Sequence, residues 1–203
     1  MTPTPRTSPS EADLSALLKE IRACRVCEGV LPLGPRPVVR AAESARILVV
    51  GQAPGTRVHE TGIPWNDPSG ERLRCWLDLD RNTFYDETRI AIAPIGFCYP
   101  GREPGGGDLP PRPECAPLWH PRLTAALPNL DLILLVGSHA QKFYLGRRRK
   151  RTMRETVAAW TEYAPLYVPL PHPSWRNTGW LRRNPWFERD LLPELRQRVH
   201  AHL

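Results

Sequence analysis

The sequence lacks any apolar run long enough to cross a membrane, and its proline- and serine-rich start contains no apolar segment of the kind that a secretory signal requires. It also lacks a P-loop and a dinucleotide fingerprint, which argues against nucleotide-cofactor enzymes. Lysine is scarce, with three residues in 203. These absences predict a cytoplasmic protein that does not associate with a membrane.

The charge that is present is strongly positive and comes almost entirely from arginine. The formal net charge is +7 and the isoelectric point is about 9.5. Such a balance favours a polyanionic partner, with nucleic acid first, although a generally basic, arginine-rich proteome would give the same composition. The length predicts one domain over residues 10–203, after a disordered tail over residues 1–9.

Four short apolar runs alternate with helical patterns along the chain. The runs, rich in Ile, Leu and Val, cover residues 47–50, 90–95, 130–136 and 166–170. Helical patterns cover residues 70–77, 114–127, 139–145, 152–163 and 186–200, and a first helix begins at Ser10, where Ser-Glu-Ala-Asp has the form of a capping box. Non-alternating apolar runs are typical of buried parallel strands. The pattern therefore predicts an α/β fold, a three-layer α/β/α sandwich around a central, mainly parallel four-stranded sheet.

Ligands of such sheets bind at the carboxyl ends of the strands, which selects three segments of this chain. The segments are residues 51–55, residues 94–113 and residues 171–177. The first of these, which we name the first motif, is a small and rigid turn whose backbone N–H groups can approach a ligand. Its residues are Gly51, Gln52, Ala53, Pro54 and Gly55.

Two candidate site residues follow the first motif. Trp65 comes after a proline, where its ring is either a stacking platform for a base or a core side chain. Asp67 precedes a predicted helix, so it is either the N-cap of that helix or a cleft carboxylate that positions water or stabilises a cationic transition state.

The segment after the last strand carries the other candidates. His172 lies between two prolines that fix its backbone, and a neutral imidazole there can donate a hydrogen bond to a leaving base. Residues 174–177, which we name the tip loop, suit contacts to phosphate and insertion into a duplex. Its residues are Ser174, Trp175, Arg176 and Asn177. The basic run that includes Arg147, Arg148 and Arg149 is either a solvated face or a contact to the DNA backbone.

Four of the five cysteines have an unusual spacing: a close pair, Cys24 and Cys27, and a distant split pair, Cys98 and Cys115. In a chain without a secretory signal, such a set more often binds metal than forms disulfides. Four thiolates suit a [4Fe-4S] cluster, and zinc is the alternative. Cys75 lies outside the set and is expected to pack as a small hydrophobic side chain.

Together these segments resemble the uracil-DNA glycosylase superfamily from about Ile21 to Phe187, and most of all its iron–sulfur families 4 and 5. The first motif resembles the first motif of those enzymes, and His172-Pro173-Ser174 resembles their second. The four-cysteine spacing matches their cluster ligands. The resemblance implies a monofunctional glycosylase, a monomer, that flips uracil out of DNA and hydrolyses the N-glycosidic bond during base-excision repair, with other deaminated bases as further candidate substrates.

The resemblance also implies a role for each site residue. The backbone around the first motif would hold the base edge, Trp65 would stack on the base, and His172 would hydrogen-bond the leaving base. Asp67 would be the catalytic carboxylate, as in family 5, although the sequence leaves Glu60 as an alternative. The iron–sulfur cluster would be structural.

Three positions depart from the family patterns, which makes the chain a mosaic of families 4 and 5. Gln52 replaces a Glu, and an amide cannot act as a base. Ala53 replaces a catalytic Asp, and Pro94 replaces the Asn that reads uracil, which weakens discrimination among bases. These departures motivate an alternative hypothesis, a non-catalytic protein that binds uracil-containing or damaged DNA. A hydrolase of free nucleosides is less consistent with the tip loop and the basic run.

Overall fold

The computed structural model describes residues 11–203, with side chains from Asp13 onward. The expected tail, and Ser10 with its capping box, therefore lie outside the described residues. The first helix, α1, covers Glu11–Arg22 and ends just before Cys24. Among the described residues, no helix is both long enough and apolar enough to span a membrane.

Four strands form one parallel sheet in the order β2-β1-β3-β4. Their bounds are Ile47–Val50 for β1, Ile90–Ile92 for β2, Leu132–Val136 for β3 and Tyr167–Leu170 for β4. In the register of the sheet, Ile47 of β1 is paired with Ile90 on one side and with Leu132 on the other. The predicted fold class is confirmed.

Helices cover both faces of the sheet, so almost every strand residue is buried. Leu48 and Leu135 face a core built with α1, whereas Val49 and Leu134 face a second core on the opposite side. The remaining helices are α2 Thr56–Thr61, α3 Pro68–Leu77, α4 Arg81–Phe84, α5 Cys115–Ala125, α6 Ser138–Leu145, α7 Met153–Ala158, α8 Thr178–Arg183 and α9 Leu192–Ala201.

Two predicted helices are interrupted in the structure. The pattern over residues 152–163 divides into α7 and a separate 3-10 turn, Trp160–Tyr163, in which Tyr163 is buried and its hydroxyl donates to the carbonyl of Arg148 at 3.0 Å. The pattern over residues 186–200 divides into a π-helical turn, Phe187–Leu191, and α9. Pro193 has no N–H for the helical ladder, which accounts for the wider turn before α9.

Other differences are smaller. The second strand ends at Ile92 and not at residue 95, although Ala93 and Ile95 still donate to the carbonyls of Val49 and Gly51 at 3.0 and 2.9 Å. The sequence patterns missed the short helices α2, α4 and α8, which are too short for a full amphipathic period. Cys75 is exposed, so the prediction that it packs inside was wrong; it lies on the outer face of α3, between the buried residues Arg74 and Trp76.

Candidate active site

A cleft of about 570 Å³ opens at the carboxyl edge of the sheet, where the three selected segments meet. All the predicted catalytic and substrate-binding residues line it, and so does the tip loop. These residues are Gly51, Gln52, Ala53, Pro54, Gly55, Trp65, Asp67, Pro94, His172, Ser174, Trp175, Arg176 and Asn177. Residues that are far apart in the chain therefore share one cleft, because parallel strands end at the same edge.

Trp65 forms one wall of the cleft in a left-handed backbone conformation, with φ of 55°. A Cβ on Gly51 would lie 2.7 Å from Cζ2 of Trp65, and a Cβ on Gly70 would lie 1.8 Å from its carbonyl oxygen. Both glycines are therefore needed for the indole to occupy this place. The ring lies 5.6 Å from the ring of His172, tilted by 34°. The indole is thus a cleft wall that also packs against the second core.

Asp67 is the N-cap of α3, and its Oδ1 accepts a hydrogen bond from the N–H of Gly70 at 2.8 Å. The same side chain lines the cleft, so the two roles weighed from the sequence are not exclusive. Glu60, the competing carboxylate, is exposed and does not line the cleft. The structure therefore leaves Asp67 as the better placed of the two.

His172 is held in one tautomer by its neighbour. The backbone N–H of Ser174 donates to Nδ1 at 3.2 Å, so in the neutral ring the proton resides on Nε2. The amide of Asn177 donates to the carbonyl of His172 at 2.7 Å and fixes the backbone. Burial lowers the pKa of His172, and the carboxylate of Asp67 opposes this shift. The cleft thus presents a neutral imidazole with one N–H donor.

The tip loop projects from the rim of the cleft. The side chain of Trp175 is 71% exposed, and the guanidinium of Arg176 lies 5.1 Å from the centre of its ring. Arg72 of α3 donates to the carbonyl of Ser174 at 3.2 Å, which ties the loop to its neighbour. Arg176 also donates to the carbonyl of Gly106, across the mouth of the cleft. An exposed indole on an anchored loop is suited to contact a large ligand.

The basic run does not join the cleft. The guanidinium of Arg148 lies 5.4 Å from the ring centre of Tyr167, the first residue of β4, whereas His172 follows the end of that strand. Arg147, Arg148 and Arg149 therefore lie toward the opposite edge of the sheet, because α6 runs back across the sheet from the cleft. The structure therefore places these arginines outside the cleft, and their contact with the DNA backbone stays a prediction.

Gln52 and Pro94, two of the residues that depart from the family patterns, each form a hydrogen bond in the structure. Nε2 of Gln52 donates to the carbonyl of Leu109 at 3.3 Å, so the amide anchors a loop. The carbonyl of Pro94 is 3.0 Å from Nε2 of His120, whose Nδ1 is 2.7 Å from the hydroxyl of Tyr144. A carbonyl only accepts, so Nε2 carries the proton, and burial lowers the pKa of His120 to about 4. The neutral, buried His120 therefore donates to the carbonyl of Pro94 and fixes this part of the cleft wall.

Sequence reasoning missed two carboxylates in the cleft, Glu103 and Asp108, of which Asp108 lies against the first motif. Asp108 belongs to residues 94–113, the segment after β2 that the sequence predicts to face the cleft. Membership of that segment was the one indication in the sequence that Asp108 could be a site residue. Glu103, Gly106 and Gly107 of the same segment also line the cleft. A glycine-rich stretch gives no periodic pattern, so the sequence did not indicate which of its side chains points inward.

Cys24, Cys27, Cys98 and Cys115 line a second cavity, which we name the cysteine cavity. The N–H of Phe97 donates to Sγ of Cys115 at 3.3 Å, and burial raises the pKa of Cys98 to about 11 and that of Cys115 to about 12. Among residues 11–203, however, no group of three or more His, Cys, Asp or Glu side chains is arranged to hold a metal ion. The shared cavity and the N–H···S contact fit a thiolate-bound group, and its identity stays a prediction.

A comparison with known protein families agrees with this geometry. The family described as the uracil DNA glycosylase superfamily matches residues 39–196. The match includes all four strands, every segment of the cleft and two of the four cysteines of the cavity, Cys98 and Cys115. It covers most of the chain, and we conclude that this protein belongs to the uracil DNA glycosylase superfamily.

Proposed function

We propose that the protein is a monomeric, monofunctional DNA glycosylase that flips uracil, and other deaminated bases, out of DNA and hydrolyses the N-glycosidic bond. The observation that carries the proposal is the meeting of Trp65, Asp67 and His172 in one cleft at the carboxyl edge of the sheet. The abasic site left behind is the product on which base-excision repair continues. A base must leave the stack for this chemistry, and a cleft beside a projecting loop suits that requirement.

In the proposed mechanism, His172 stabilises the negative charge that develops on the base, and Asp67 stabilises the positive charge that develops on the sugar. The N-glycosidic bond breaks largely before water attacks, which leaves a cationic sugar and an anionic base. The N–H at Nε2 of His172 donates to the base as its negative charge develops, and the neutral ring avoids a costly proton transfer. The carboxylate of Asp67 stabilises the sugar cation, and the indole of Trp65 stacks on the base.

The surface around the cleft supports DNA as the substrate. Trp175 is exposed and mounted on an anchored loop, so it can replace the flipped base in the stack. The formal net charge of +7 favours association with a polyanion.

The cysteine cavity is proposed to hold a structural [4Fe-4S] cluster on Cys24, Cys27, Cys98 and Cys115, as in families 4 and 5, with zinc as the alternative. When bound, the group supplies a cross-link and no step of the hydrolysis. The four side chains would connect the segment after α1 with the segment after β2 and with the first residue of α5. This brace would stiffen the segment that also contributes Pro94 to the cleft.

Base release from labelled oligonucleotides tests the proposal. Single- and double-stranded substrates would carry uracil, hypoxanthine or xanthine at one position, and heat with alkali would reveal abasic sites. We expect release of uracil by the wild-type protein and a loss of about 10²–10³-fold in His172→Ala, the range for removal of one donor to a developing anion. Comparison of the rates on uracil, hypoxanthine and xanthine would show how much discrimination among bases is lost because Pro94 replaces the Asn side chain.

Two controls separate chemistry from binding and folding. The circular dichroism of His172→Ala should match that of the wild type, and its affinity for abasic DNA should change little. Release of no base by the wild-type protein, together with tight binding of uracil-containing or abasic DNA, would contradict the proposal and support a non-catalytic binding protein.

A further inference from the structure

Residues 101–109, which we name the hairpin loop, hold Asp108 in a defined place on the cleft. Arg102 and Asp108 form an isolated antiparallel bridge, and the N–H of Leu109 donates to the carbonyl of Gly101 at 2.9 Å. At the turn, the N–H of Glu103 donates to the carbonyl of Gly107 at 2.8 Å. The backbone on both sides of Asp108 is therefore hydrogen-bonded, and its side chain is aimed by a small ribbon.

The hairpin loop is fastened to the first motif, which brings the carboxylate over the cleft. The amide of Gln52 donates to the carbonyl of Leu109, the residue after Asp108. A Cβ on Gly55 would lie 3.3 Å from Oδ2 of Asp108. The carboxylate therefore faces the bare backbone of Gly55, at a point where any larger side chain would crowd it.

The carboxylate of Asp108 has no hydrogen bond and no ion pair with any residue in the described part of the chain. The charged groups that act on it are Arg102, Asp67 and Arg176. Burial raises its pKa, Asp67 raises it further, and the two arginines oppose the shift. Asp108 is exposed at the mouth of the cleft, yet its carboxylate has a raised pKa and no hydrogen-bond partner among the described residues, and such groups are typical of catalytic sites.

The two catalytic side chains proposed above are already engaged in hydrogen bonds. Oδ1 of Asp67 caps α3, and Nδ1 of His172 accepts from the backbone of Ser174. The first motif offers an amide and a methyl group at Gln52 and Ala53, so it provides no base. Asp108 and Glu103 are the two cleft carboxylates with no hydrogen bond from the described residues, and Asp108 is the one whose Oδ2 lies against the first motif, 3.3 Å from the position of a Cβ on Gly55.

We propose that Asp108 is a catalytic residue of this chain, the general base that accepts a proton from the attacking water. The inference rests on the proposed glycosylase function. The bond between C1′ of the sugar and the nitrogen of the base breaks, and its electron pair leaves with the base. The water oxygen forms a new bond to C1′, and one of its protons passes to the carboxylate of Asp108. The base leaves as an anion hydrogen-bonded to His172 and takes a proton from solvent, and Asp108 later returns its proton to solvent.

Single-turnover release of uracil across a range of pH tests this assignment in the wild type and in Asp108→Asn. We expect the variant to lose about 10²–10⁴-fold in rate at neutral pH, the range for a general base. In the wild type the rate should fall as pH drops through the raised pKa of Asp108, because protonation removes the base. The midpoint of this acid limb should change in the variant, where any remaining fall comes from Asp67, the other carboxylate of the mechanism. The affinity of the variant for abasic DNA should be unchanged or higher, since a negative charge has been removed.

Two further variants keep the test decisive. Asp108→Ala should regain part of its rate when formate is added, because formate can replace the missing carboxylate. Glu60→Gln, which removes an exposed carboxylate outside the cleft, should keep the wild-type rate and acid limb.

A wild-type rate in Asp108→Asn, or an acid limb with the wild-type midpoint in that variant, would overturn the assignment while leaving the glycosylase function intact. Loss of rate with weakened binding of abasic DNA and no rescue by formate would also overturn it, in favour of a structural role for the hairpin loop. If the wild-type protein releases no base, the proposed function and this inference fall together.

Discussion

At the scale of single residues, the cleft obtains its chemistry from side chains that also have a structural duty. Asp67 caps a helix and faces the ligand space, and the capping bond keeps its carboxylate in one orientation. The backbone N–H of Ser174 selects the tautomer of His172. Each reactive group is therefore positioned by a local hydrogen bond from its own segment, which does not depend on a bound substrate.

Substitution of Asp67 by Asn and by Ala separates its two duties. Asn is as good an N-cap as Asp, so Asp67→Asn should keep the wild-type melting temperature, whereas Asp67→Ala should lose about 1 kcal/mol of stability. Both should lose glycosylase rate by about 10²-fold or more, because the sugar cation loses its counter-charge. In Asp67→Asn the pKa of His172 should fall further, since the carboxylate of Asp67 raises it in the wild type.

The pKa of His172 can be followed by NMR titration of its ring protons in each variant. An unchanged pKa of His172 in Asp67→Asn would contradict the electrostatic link between the two side chains. Full activity in Asp67→Asn would leave Asp67 with the capping role alone.

At the scale of elements, the cleft is closed by loops that fasten one another. The tip loop is tied to α3 through Arg72 and to the hairpin loop through the bond from Arg176 to the carbonyl of Gly106. The hairpin loop is tied in turn to the first motif through Gln52. These hydrogen bonds fix the position of the exposed Trp175 at the rim of the cleft, where it would contact a bound duplex.

Trp175→Ala is expected to reduce base release from double-stranded DNA by about 10-fold or more, because the indole can no longer offset a few kcal/mol of unstacking. Release from single-stranded DNA should change little, since a single strand has no duplex stack to open. The fold should be unaffected because the side chain is 71% exposed. Measurement of both rates in one variant provides its own control, and an equal loss on both substrates would contradict a wedge role.

At the scale of the whole molecule, the cleft and the cysteine cavity share one segment. Pro94 lines the cleft, and Gly96 and Cys98 line the cysteine cavity. A Cβ on Gly96 would lie 2.8 Å from Cβ of Pro111 and 3.6 Å from Cβ of Ala53, so the segment is closely packed between the two sites. We therefore expect a change in the cysteine cavity to alter the cleft as well, because a short, closely packed segment joins the two.

Cys98→Ser should lose the proposed cluster, and Cys75→Ser is the matched control, because Cys75 is exposed and lies outside the cavity. In protein purified anaerobically, we expect iron and broad visible absorption in the wild type and in Cys75→Ser. Both should be diminished in Cys98→Ser, together with a lower melting temperature. Zinc in place of iron would support the alternative, and neither metal in the wild type would contradict a metal site.

The layered architecture, and the edge of the sheet at which the site lies, follow from patterns in the sequence alone. Non-alternating runs such as residues 47–50 and 132–136 can only be satisfied when both faces of a strand are buried, which requires helices on both sides. Strands connected through helices are parallel, so their carboxyl ends coincide, and the segments at residues 51–55 and 171–177 had to meet. These inferences needed only local patterns and a general rule of topology.

Which side chains enter the cleft depends on the folded arrangement of the loops. The structure places Arg147–Arg149 outside the cleft, because α6 carries them to the far edge of the sheet, and it leaves Glu60 outside because α2 turns it outward. It added Asp108, whose direction is set by a bridge to Arg102 and by the anchor at Gln52. The orientation of a loop side chain depends on contacts with distant segments, and no periodic pattern in the chain encodes those contacts.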